Sequence, residues 1–81
     1  MELKDELLQY IRDNKTWTEE EEGRALVDVD HKRCPLRMTH DGSKIIDAII
    51  ELISDFADEK GYDSDWAPED FDDEEEIFWA L

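Results

Sequence analysis

Nine carboxylates and no lysine or arginine occupy residues 61 to 81, and that segment has the most scope for chemistry. Within it Glu69, Asp72, Asp73 and Glu76 recur at i, i+3, i+4 and i+7. On a helix this spacing makes one stripe with neighbours about 5–6 Å apart. Fixed carboxylates so arranged carry a charge pattern like that of a nucleic-acid backbone, and a basic cleft selected for phosphates accepts them. Like charges at these spacings oppose helix formation. Phe71, Ile77, Phe78 and Leu81 would offset this by docking the segment on a folded body. An acidic run more often forms a solvated face or a flexible tail, and the interleaved aromatic residues weigh against that reading here.

Other constellations carry less. Asp63, Asp65 and Glu74 stand at positions one, three and twelve of a calcium loop, but Ala67 and Pro68 occupy the places of a ligand and of the turn glycine. His31, Cys34 and His40 fall one short of a structural zinc set. Cys34 as a nucleophile would need an electropositive pocket and an oriented base, which a small chain has little room to build. Three scattered glycines make no phosphate loop. No catalytic residue, metal site or cofactor is therefore expected.

Elements must position these groups. Leu3, Leu7, Leu8 and Ile11 have helical spacing and predict a helix over residues 3 to 14, ending near Asn14. Thr18 and Glu21 have capping-box spacing, but Gly23 interrupts a helix started there, and Ala25, Val27 and Val29 alternate with their neighbours as a strand would. With Pro35 in a turn and a second short strand through Leu36 and Met38, a hairpin is expected over residues 24 to 39. Ser43 is placed to cap an apolar-faced helix over 44 to 60, built on Ile45, Ile46, Ile49, Ile50, Leu52, Ile53, Phe56 and Ala57, with Gly61 as its left-handed C-terminal cap. Asp47, Glu51, Asp55, Asp58 and Glu59 line the outer face of that helix. Pro68 then opens a last helix over 68 to 80. The expected fold is α+β: an N-terminal helix, a short antiparallel hairpin or three-stranded sheet, a long apolar-faced helix and an acidic C-terminal helix. Residues 1–81 form a single domain, with 62–81 an acidic linker and helix docked on it.

The charge is asymmetric. The chain of 81 residues has 25 acidic and 9 basic side chains and a net charge of −16. Solubility of a small domain asks for a magnitude of only about 2–8, and the excess points to a basic partner, a disordered acidic segment or a high-salt habitat. Hydrophobic residues at 40% of the chain exceed what a disordered acidic tail carries. A single cysteine and a charged N-terminal stretch, MELKDELLQY, lead to the expectation of a reducing cytoplasm. No apolar run approaches the roughly 20 residues of a membrane-spanning helix.

KDELLQYIRDN, KIIDAIIELISDF and DDEEEIF at residues 72 to 78, in the order helix, acidic-flanked hairpin, apolar helix, acidic helix, resemble the small phage-encoded anti-CRISPR proteins that inhibit type II-A Cas9. The resemblance implies an inhibitor acting in the host cytoplasm that covers the basic, DNA-reading cleft of guide-loaded Cas9, with carboxylates standing in for DNA. It places the partner contacts among Asp63, Asp65, Glu69, Asp70, Asp72, Asp73, Glu74, Glu75 and Glu76, to which an exposed Trp66 would add an interface aromatic. Acidic immunity proteins that neutralise bacterial nucleases are similar in size and charge only. The expected function is thus a DNA-mimicking inhibitor, monomeric or homodimeric, that binds a basic nucleic-acid-binding protein, neither nucleic acid nor membrane directly. The alternative is a regulatory adaptor that binds a host protein such as RNA polymerase through Trp66, Phe71, Phe78 and Trp79.

Overall fold

In a computed structural model that describes residues 2–63 and 65–81, the chain is built from helices around one long central helix. The order is α1 (Leu3–Asn14), α2 (Glu19–Lys32), a 3₁₀ turn (Leu36–Met38), α3 (His40–Lys60) and α4 (Glu74–Ala80). No strand occurs among the described residues. The expected α+β class, with its hairpin or three-stranded sheet, is thereby replaced by an all-helical fold.

The hairpin yields to α2 for reasons present in its own sequence. Thr18 Oγ1 accepts from the Glu21 backbone N–H at 3.2 Å, and the Glu21 carboxylate reaches back to the Thr18 N–H at 3.4 Å. This reciprocal capping box, with Glu19 to Glu22 at the positive end of the helix dipole, starts the helix. Ala25 is buried and Val29, one turn later, is half-buried against the core, so the pair reads as a helix face rather than one side of a strand. Val27, the intervening member of the strand-like alternation, is left 54% exposed. Gly23 costs the helix about 1 kcal/mol relative to alanine, and the capping box is worth about as much.

α3 begins a turn earlier than its sequence suggests. Thr39, not Ser43, is the N-cap, accepting from the Gly42 N–H at 2.8 Å while donating to the Leu36 carbonyl at 2.8 Å. Ser43 instead donates to the His40 carbonyl from within the helix. At the far end Gly61 adopts φ 78°, its N–H donating to Asp58 and the Tyr62 N–H to Ala57, a Schellman closure. Ile45, Ile49, Leu52, Ile53, Phe56 and Ala57 form the buried face between these caps, whereas Ile46, expected on it, is half-buried and Ile50 is exposed. Leu7 and Ile11 of α1, Ala25 of α2, Leu36 of the 3₁₀ turn, and Ile77 and Phe78 of α4 complete the core, with Trp17.

The last helix is shorter than expected, seven residues in place of the 68 to 80 expected from sequence. Four carboxylates on one face, with no cation in the segment, disfavour a helix from Pro68 onward. The helix starts only where Asp73 caps the Glu76 N–H at 3.1 Å and Ile77 and Phe78 reach the core. Residues 62–63 and 65–73 pack as a non-helical arm, with Trp66 and Phe71 half-buried.

Candidate acidic binding surface

The stripe expected at Glu69, Asp72, Asp73 and Glu76 does not exist as a helix face, because the first three precede α4. Asp63 and Asp65 are exposed on the arm just beyond Gly61, beside Tyr62 and Trp66. Glu69 and Asp70 are exposed in a turn that borders α1 near Leu3 and Leu7. Glu76 is turned inward on its own segment, its carboxylate accepting from the Asp72 N–H at 2.6 Å. Asp72, Asp73 and Glu74 gather at one cleft between the arm, α4 and α3.

Asp73 and the neighbouring Glu75 are tethered by a residue that the sequence placed in a strand. Arg37 Nη2 lies 3.0 Å from Asp73 Oδ2, its Nε lies 3.9 Å from Glu75 Oε1, and its backbone N–H donates to the same Glu75 oxygen at 3.1 Å. Arg37 is the one basic side chain, among the described residues, in an ion pair with the acidic C-terminal segment. The amide of Glu76 donating to it holds the Asp73 carboxyl below its ordinary value; burial opposes this, and Arg37 adds to it.

The aromatic residues are less available than the adaptor reading requires. Trp66 stacks against Phe56 at 5.6 Å and Tyr62 at 5.1 Å, anchoring the arm to α3. Phe78 is buried at 6% exposure, and of the four aromatic residues of that reading Trp79, 53% exposed, is the open one.

A better ordered array of carboxylates sits on α3. Asp47, Glu51, Asp55, Asp58 and Glu59 are all exposed, and the first three repeat at i, i+4 and i+8. Among the described residues none of these five enters an ion pair. The opposite face of the helix is the protein core, so their backbone is rigidly held. At a rise of about 1.5 Å per residue the five span about 18 Å, on average about 4.5 Å from one charge to the next, against about 3.4 Å per phosphate for one strand of DNA. The Tyr10 phenol, across from this helix, has its pKa raised by burial and by the charges of Glu59 and Asp55.

No family model, curated protein or solved structure matches this chain. The hairpin included in the anti-CRISPR resemblance is replaced by helix α2 and the 3₁₀ turn. Among the described residues, no helix is long and apolar enough to cross a membrane. Nor do three or more His, Cys, Asp or Glu side chains among them converge to hold a metal ion.

Sequence reading assigns Asp47, Glu51, Asp55, Asp58 and Glu59 to the outer face of the helix without counting them as a site. Their one-turn spacing is the signal that could have found them. The densest acidic run is the more conspicuous candidate, but there like charges keep the backbone from forming the helix that would have ordered them.

Proposed function

We propose that this protein acts by binding, not turnover, and occupies a basic, phosphate-binding surface of a nucleic-acid-processing protein with its own carboxylates. The observation that carries the reading is the unpaired acidic face of α3, rigid and near the linear charge density of a nucleic-acid strand. Preorganisation matters, because carboxylates on a backbone already held by the core lose only side-chain freedom on binding. The net charge of −16 then steers a basic partner from a distance. Guide-loaded Cas9 is one target to assay, as the sequence resemblance implies.

The test pairs capture with competition. Immobilised protein is presented with guide-loaded Cas9 and with other basic nucleic-acid enzymes, at low and high salt, with and without excess duplex DNA. A partner released by salt and by duplex DNA supports the reading. The triple change Asp47→Asn, Glu51→Gln, Asp55→Asn is expected to weaken its binding about threefold to a hundredfold, from about 0.2–1 kcal/mol per exposed charge contact. A partner that stays bound in high salt and in the triple variant, and is lost on Trp79→Ala, establishes the adaptor reading in its place.

A further inference from the structure

Beside the acidic face of α3 lies a cleft of about 260 Å³, smaller than the roughly 300–1,000 Å³ typical of small-molecule sites. Its size suits one long side chain. The floor is apolar, made by Ile50 and Ile53 of α3, Phe71 of the arm and Ile77 of α4, with Trp66 and Pro68 as a wall. Ile50 is 45% exposed there, an unusual position for isoleucine on a face otherwise acidic. The rim is anionic, formed by Asp72, Asp73 and Glu74, and Ser54 closes the α3 side. By helical periodicity Ile50 and Ser54 adjoin Asp47 and Asp58, so the cleft opens beside the carboxylate stripe rather than away from it.

An apolar floor beneath a carboxylate rim matches a side chain with an aliphatic stem and a cationic head. Arginine fits better than lysine, since its planar fork meets carboxylates bidentately and its weakly hydrated face packs on aromatic rings. The same rim already holds one guanidinium from within the chain: Arg37 engages Asp73, leaving Asp72 and Glu74 without an ion-pair partner among the described residues. We infer that this cleft is a receptor for a single arginine side chain of the partner, stem on Ile50 and Phe71, guanidinium between Asp72 and Glu74. This deepens the proposed function and rests on its premise that the partner surface is basic: the α3 stripe supplies sequence-tolerant attraction, and the cleft selects arginine within it. Arginine is also among the residues most enriched at the energetic centres of protein interfaces.

The test uses short Gly-Ser peptides that differ only in carrying arginine, lysine or citrulline, titrated against the full chain and followed by backbone and methyl NMR. The arginine peptide is expected to shift Ile50, Ser54, Phe71 and Ile77, with lysine about tenfold weaker and citrulline without effect at these positions. Ser54→Tyr, which plugs the mouth from an exposed helix position, is expected to abolish those shifts and to spare shifts at Asp47 and Glu51. Asp72→Asn with Glu74→Gln is expected to remove the preference for arginine over lysine. Equal binding of arginine and lysine peptides, with shifts confined to α3's acidic face, overturns the cleft assignment and leaves the mimicry reading standing. Absence of shifts in the cleft with every peptide overturns it too. Failure of the mimicry reading is read separately, from a partner that duplex DNA does not displace.

Discussion

Gly42 lies where the first turn of α3 crosses the 3₁₀ turn, and a Cβ there would fall on the Leu36 carbonyl and the Thr39 hydroxyl. Backbone cannot yield as a flexible side chain would, so Gly42→Ala is expected to destabilise by about 1–3 kcal/mol, measured as a lower urea midpoint with an unchanged slope. Gly23 is the converse case. It sits within α2 with nothing near the position of a Cβ. Gly23→Ala is expected to stabilise the protein by about 1 kcal/mol, visible as a raised Tm. Its reading as an interruption failed because the energy involved is a fraction of what a capping box and a buried face supply together. Arg33 ends α2 at φ 50°, the left-handed region, at a position where glycine would relieve the strain.

At the scale of elements, α2 and α4 depend on different contacts. Thr18→Ala removes one half of the capping box of α2 and is expected to cost about 1 kcal/mol, again from the urea midpoint. The α4 end depends on Asp73 as N-cap and as the partner of Arg37. Its carboxyl is held below the ordinary value of 3.8, so the folded form favours the ionised group. That contribution is fully present above the ordinary value and is lost as pH falls through the lowered one. The stability gap between the wild type and Asp73→Ala should therefore be constant near neutrality and narrow below about pH 4. A gap that held constant to lower pH would show that the clamp owes nothing to ionisation. The elements were unevenly legible: α1 coincides with the periodicity of Leu3, Leu7, Leu8 and Ile11, and α3 was expected apart from its first turn. α2 was hidden because Ala25 and Val29 satisfy a period of two and a spacing of four equally well.

For the whole molecule, a net charge of −16 sets two salt responses of opposite sign. Raising ionic strength from about 0.01 M to about 0.15 M shortens the screening length from about 30 Å to about 8 Å, which relieves self-repulsion across a body 40 × 22 × 22 Å in extent. The Tm should rise over that range while affinity for a basic partner falls. A Tm indifferent to salt would mean that the exposed carboxylates do not strain the fold, and the case for their retention as a binding charge would weaken.

The amino-acid sequence by itself determined what depends on local order along the chain. Two amphipathic helices, the glycine closing the longer one and the concentration of negative charge were all readable there, since periodicity, caps and charge are properties of neighbouring residues. Tertiary structure decided what depends on which competing local pattern finds a surface to bury against. The buried Ala25 and Leu36 on α3 turned an apparent hairpin into a helix and a 3₁₀ turn. The docking of Ile77 and Phe78, with Arg37 across from Asp73 and Glu75, confined the last helix to its final turns and left the preceding carboxylates on an arm. The ordered acidic face consequently belongs to α3, whose like charges are tolerated because its other side is the core; in the denser C-terminal run no comparable burial offsets the repulsion.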